Sequence, residues 1–146
     1  MYTIGQVSEI SGLPVSTLRY YDKEGLFPNL QRKGGQRIFS DSEIESLRVI
    51  ECLKQSGLEI KDIKQFFKWV TEGSSTYAKR KQLFEARKSA VEAELRSLEK
   101  TLAMLRFKCW YYDKAMQDGT EDNISAMMPD RLPAEIQQLY DKACGE

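Results

Sequence analysis

Between Thr76 and Met116 the chain contains neither glycine nor proline. No other feature constrains the fold as strongly. An unbroken run of about 40 residues predicts one continuous α-helix, about 60 Å long at a rise of ~1.5 Å per residue. Phe84, Val91, Leu98, Leu105 and Tyr112 recur at every seventh position. Leu95, Leu102, Cys109 and Met116 form a second seven-residue series, three positions earlier in each heptad. Two such rows are the a/d seam of a coiled coil. Lys81 and Lys88 stand in the second row upstream, so the seam weakens toward its N-terminal end. A helix this long cannot bury the stripe within its own monomer. The sequence therefore predicts a coiled-coil homodimer with Phe84, Val91, Leu95, Leu98, Leu102, Leu105 and Cys109 in the seam.

The residues before that helix read as a small domain. Thr3 can cap a short helix carrying Ile4, Val7 and Ile10 on one face. Ser11-Gly12-Leu13-Pro14 breaks it, and a second helix starts at Pro14 or Val15, where Ser16 either caps or faces outward. Leu18 and Tyr21 face inward, and Glu24-Gly25 ends the helix. Helix, four-residue turn and helix within about 22 residues is the size of a helix-turn-helix. Gly34-Gly35 then marks a tight hairpin between Leu30-Gln31-Arg32 and Arg37-Ile38-Phe39, whose tip carries Arg32, Lys33 and Arg37. A basic hairpin beside a helix-turn-helix reads as a wing. Ser40-Asp41 starts a third helix with Glu43 in support and Ile44, Leu47, Ile50 and Leu53 as its apolar stripe. A fourth helix, from Glu59 to Val70, buries Ile60, Ile63, Phe67 and Val70. Glu72 to Ser75 is a linker. After the long helix come an acidic loop, Gly119 to Asp130, and a final amphipathic helix, Pro133 to Ala143. The fold class is mainly α, divided as residues 1–73, 74–116 and 117–146.

Composition removes several functions. Formal net charge is zero, but residues 1–40 carry +2, residues 71–116 carry +4 and residues 117–146 carry −5. There is no histidine, so the commonest general base and the commonest transition-metal ligand are both missing. The three cysteines, Cys52, Cys109 and Cys144, are too scattered for a zinc knuckle or a disulfide framework. No apolar run approaches the roughly 18 residues of a membrane span, and no signal pattern opens the chain. The expectation is a soluble cytoplasmic protein. Without a Gly-rich phosphate loop or paired acids in an evident pocket, it is not an enzyme. No cofactor and no metal are expected.

The stretches YTIGQVSEISGLPVSTLRYYDKEGLFP and GGQRIFS, followed by two helices and a long terminal helix, resemble the MerR family of bacterial transcription regulators. The likeness is specific over residues 1–70, above all in TLRYYDKEGL, and generic beyond. It implies a winged helix-turn-helix and an antiparallel dimer through the long helix. It also implies a palindromic operator in double-stranded promoter DNA, bent and underwound for RNA polymerase, and a bacterial cytoplasm. Ser16, Thr17, Arg19 and Tyr20 would then lie at the major groove and its flanking phosphates. Thr3 would offer a capped amide end to a phosphate. Arg37 and Phe39 would fill the basic-x-aromatic wing position, with Phe where Tyr is common, and Lys61 would meet another phosphate. Side chains of these types suit such roles: hydroxyls bond phosphates or base edges, and Arg bonds phosphate bidentately or reads guanine. A coiled-coil scaffold that binds protein instead of DNA is the alternative class.

The metal-sensing branches of that family place cysteines at the start of the dimer helix and in the loop after it, where this chain has none. Cys52 resembles the single cysteine of the thiol-based, aldehyde- or electrophile-responsive branch and is the candidate sensor. Arg48, at i−4, and Lys54 would favour its thiolate, whereas the nearby C-terminal end of the helix dipole opposes it. A buried structural role is the competing reading, as it is for Cys109. Trp110, Tyr111, Tyr112 and Tyr140 either form a pocket for a small apolar ligand or, as preferred here, pack the partner's DNA-binding domain.

Overall fold

The computed structural model describes residues 1–145. The chain packs as two units, Met1–Arg87 and the remainder from Lys88, so the division falls inside the long helix.

In the first unit, strand β1 (Tyr2–Thr3) leads directly into helix α1 (Ile4–Ser11). Thr3 caps α1 in a reciprocal box. Gln6 N donates to Thr3 Oγ1 at 3.3 Å, and Thr3 N donates to Gln6 Oε1 at 2.8 Å. Helix α2 (Val15–Lys23) starts straight after Pro14 with no side-chain cap, which leaves Ser16 facing outward. Strands β2 (Gln31–Lys33) and β3 (Gln36–Phe39) form the hairpin. Gly34 and Gly35 join them with φ of 57° and 78°, a turn in which a side chain would strain both positions. The sheet order is β1-β3-β2, all antiparallel, with Tyr2 opposite Phe39 and Arg32 opposite Arg37. Helix α3 (Asp41–Gln55) has its own capping box, in which Ser40 N donates to Glu43 Oε2 at 2.8 Å. Helix α4 (Ile60–Glu72) and a 3₁₀ turn (Ser74–Thr76) lead into helix α5 (Tyr77–Asp118).

The core of this unit gathers Val7, Leu18, Tyr21, Leu26, Phe39, Leu47, Ile50 and Ile63 from every layer, all nearly inaccessible. Burying each such side chain contributes about 1.5–3 kcal/mol. Leu83 of α5 packs against this core, and Arg87 Nε donates to the carbonyl of Ser56. The first turns of the long helix therefore belong to the first unit. Two expected core residues do not reach it: Ile10 is 55% exposed and Val70 43% exposed, each at the far end of its helix's apolar stripe. Strand β1 is an element the sequence reading lacked.

In the second unit, the expected loop after α5 contains a short helix, α6 (Asp122–Met127), whose Ile124 is fully buried. Helix α7 (Ala134–Cys144) follows. Ala103, Phe107, Ile124 and Leu132 are the buried residues here. The Phe107 ring stands 6.1 Å from Trp110 and 5.3 Å from Tyr140, so these aromatics fill one another's space. Through Tyr140, Phe107 packs against the tail helix α7.

Candidate nucleic-acid interface

Helical periodicity splits α2 into two faces. Leu18 and Tyr21 are buried, while Ser16, Arg19 and Tyr20 are exposed and Thr17 is half-buried. Tyr21 fixes the buried face. Its hydroxyl donates to Glu51 Oε1 at 2.7 Å and accepts from Lys54 Nζ at 2.8 Å, tying α2 to α3. Burial above all pushes the Tyr21 hydroxyl above its ordinary pKa, with Lys54 opposing and Glu51 assisting, so it remains a neutral donor. The same hydrogen bond raises Lys54.

Three residues predicted to meet DNA converge. Thr3, Arg19 and Arg37 line one cleft of roughly 350 Å³, together with Ile4, Gly35 and Gln36 at the wing turn. Two cations, a hydroxyl and the N-terminus of α1 thus face a common space. The capping box engages the amides of Thr3 and Gln6. Ile4 and Gly5 carry the other first-turn amides, which an α-helix leaves without an intrahelical acceptor and which suit a phosphate.

The wing itself is basic and exposed at Arg32 and Lys33. Arg32 Nη2 and Arg37 Nε both donate to Asp22 Oδ2, at 2.8 and 2.7 Å. Sequence reading missed Asp22. No local pattern marks an acid whose partners lie 10 and 15 residues away. Phe39 requires a correction. It is fully buried and packs edge-on against Phe27 at 5.5 Å, so it builds the core beneath the wing and cannot touch DNA. Arg37 and Phe39, two apart, share one face of β3; Phe39 lies at the end next to α3, where the core covers it, and Arg37 lies toward the turn, where it is partly open. Lys61 is exposed on α4, 3.4 Å from Glu59, in a separate groove with Lys64 and Lys68.

Cys52 is exposed on α3, in a groove of roughly 360 Å³ lined by Ile10, Ile44, Leu47 and Arg48 among others. Of the two cations expected beside it, Arg48 lines the same groove with Nη1 paired to Glu45 Oε1 at 2.5 Å, and Lys54 donates to Tyr21. Cys109 and Cys144 are exposed as well. Among the described residues, no group of three or more His, Cys, Asp or Glu could hold a metal ion, and no helix is long and apolar enough to cross a membrane.

Residues 2–68 match the model of the MerR HTH family regulatory proteins. An HTH-type transcriptional regulator of Haemophilus influenzae, itself uncharacterised, is 38% identical over 82% of this chain and 89% of its own length. HiNmlR, described as a MerR family regulator lacking the sensor domain and bound to promoter DNA, has a similar structure. Its TM-score is 0.65 at 36% identity, covering 84% of this chain and 98% of that one. The chain belongs to the MerR family. A MerR family transcriptional regulator from Bacillus thuringiensis gives a TM-score of 0.60 at 43% identity, over 74% of this chain and 96% of that one. The protein is thus a DNA-binding transcriptional regulator of MerR type, as its relatives are transcriptional regulators.

Proposed function

We propose that this MerR regulator acts as an antiparallel homodimer that grips an inverted repeat in promoter DNA. By bending and untwisting the spacer, it presents the promoter to RNA polymerase in the bacterial cytoplasm. The convergence of Thr3, Arg19 and Arg37 on one cleft, beside exposed Ser16 and Tyr20, carries this reading. In it, Ser16, Thr17, Arg19 and Tyr20 address the major groove. Thr3, Arg32, Lys33, Arg37 and Lys61 hold the backbone on either side. That HiNmlR is described as bound to promoter DNA supports the same use of this fold. The dimer rests on α5, where Val91, Leu95, Leu98, Leu102 and Leu105 are between 42% and 66% exposed within the chain. Apolar residues at heptad spacing, left uncovered on one helix, call for a second copy.

The test is binding of the full chain to fluorescent fragments of its own promoter, with and without the inverted repeat, across a salt series. A regulator discriminates between the fragments and loses affinity steeply with salt. Equal binding to both would leave only the scaffold reading. For the inducer we propose electrophiles or thiol oxidants acting at Cys52, which is exposed in a groove of mixed apolar and polar lining next to Glu51, a partner of the α2 anchor Tyr21. A promoter reporter challenged with aldehydes should respond in the wild type and fall silent in Cys52→Ser, with DNA binding intact. A response that survives the substitution places the inducer elsewhere.

A further inference from the structure

We infer that Asp22 is a positioning residue for DNA binding: it aims the wing's two arginines and joins them to the recognition helix. The inference rests on the reading that those arginines meet DNA phosphates. Arg32 and Arg37 are direct cross-strand partners on adjacent strands. Like charges directly opposite each other destabilise a hairpin. Strand β2 is an edge strand that pairs only with β3, so the wing tip has no second strand to hold it. Asp22 resolves both problems, because one carboxylate oxygen accepts from both guanidiniums.

The geometry shows more than charge balance. The Asp22 side chain is 12% exposed, beneath Arg37 at 23% and Arg32 at 52%. The acid lies underneath and the cations lie over it, Arg32 half open to solvent and Arg37 partly covered. Arg37 meets Asp22 through Nε, and Arg32 through one Nη. A guanidinium has five N–H donors in a rigid fork, so each keeps most of them for another acceptor. Arg37 lines the cleft with Thr3 and Arg19. Asp22 also belongs to α2, three residues after Arg19, so the clamp couples wing and helix as one rigid reader. Ordering two long side chains in advance removes entropy that binding would otherwise cost.

This makes a prediction of sign. An acid close to the phosphates should repel DNA. If Asp22 only neutralises the hairpin, its removal strengthens binding. If it positions the arginines, removal weakens binding. The test compares Asp22→Asn, Asp22→Glu, the double variant Arg32→Ala/Arg37→Ala, and that double variant carrying Asp22→Asn. All are full-length chains, titrated by fluorescence anisotropy on the promoter fragment over a salt series, with melting curves alongside. Asp22→Asn should lose about tenfold in affinity. Asp22→Glu, which keeps the charge but shifts the carboxylate by one methylene, should lose less and melt like the wild type. In the background lacking both arginines, Asp22→Asn should lose no affinity. Stronger or unaltered binding by Asp22→Asn overturns the inference. So does a loss of the same size in the arginine-free background, since that marks a structural role. If the double variant alone leaves affinity and salt slope unchanged, the reading of the wing as a DNA contact is what fails.

Discussion

Arg19 and Phe39 stand for the two fates a side chain meets in this reader. Arg19 is exposed on α2 and faces the cleft it shares with Thr3 and Arg37. Its guanidinium supports no part of the core, so Arg19→Ala should leave the melting temperature unchanged. It should cost about 1–3 kcal/mol of operator binding, read by anisotropy. Unaltered affinity would remove it from the interface. Phe39 predicts the opposite pair of results. Fully buried against Phe27, it leaves a cavity when truncated, and Phe39→Ala should cost about 3–5 kcal/mol in urea unfolding. A folded Phe39→Ala of unchanged stability would contradict its place in the core. Sequence reading put both residues at the DNA because both occupy suggestive motif positions. A motif specifies residue type and spacing but not how far along the strand the rest of the protein covers it.

Elements that carry their own start and stop signals were legible before the fold was seen. Thr3 before α1, Ser40 with Glu43, and Gly12 after α1 are local chemistry, and the structure uses each of them. The Gly34-Gly35 hairpin and the breaker-free α5 belong to the same group. Strand β1 was not legible, since two residues become a strand only through β3 lying alongside. Helix α6 was hidden in a polar, acidic run whose single buried anchor, Ile124, gives no periodicity. Its junction with α5 yields a pH prediction. Asp118 is the last residue of α5, where the helix dipole disfavours an anion. Asn123 Nδ2 at 3.1 Å, and after it Lys114 Nζ at 3.2 Å, hold its carboxyl below the usual range. A carboxyl lowered on folding stabilises the fold above its unfolded pKa of about 3.9. That contribution is lost as pH falls through the folded value. In an NMR titration, Asp118 should protonate below the unfolded value, and Asn123→Ala should move its midpoint up. An unmoved midpoint would show that Asn123 is not the cause.

At the scale of the whole molecule, the proposed mechanism requires two chains. One reading unit spans only one half of an inverted repeat, so a single copy has no geometric reason to prefer the repeat over its half. Joining two readers makes the second contact intramolecular and can raise overall affinity by about 10²–10⁴. All of that gain depends on the α5 seam, where Leu98 is 66% exposed in the isolated chain. A glutamate there does no harm to a lone helix, because the site is open to water and Glu is a good helix former. Inside a seam it buries an unpaired charge. Leu98→Glu should therefore keep its helical circular dichroism and its melting behaviour as a single chain, yet sediment as a monomer in analytical ultracentrifugation. It should bind the full repeat no better than half of it, while Arg19→Ala still sediments as a dimer with weakened binding. A Leu98→Glu chain that remains dimeric would put the second copy on another surface. A wild type that sediments as a monomer at operator-binding concentrations would leave the promoter distortion without the symmetric grip it needs.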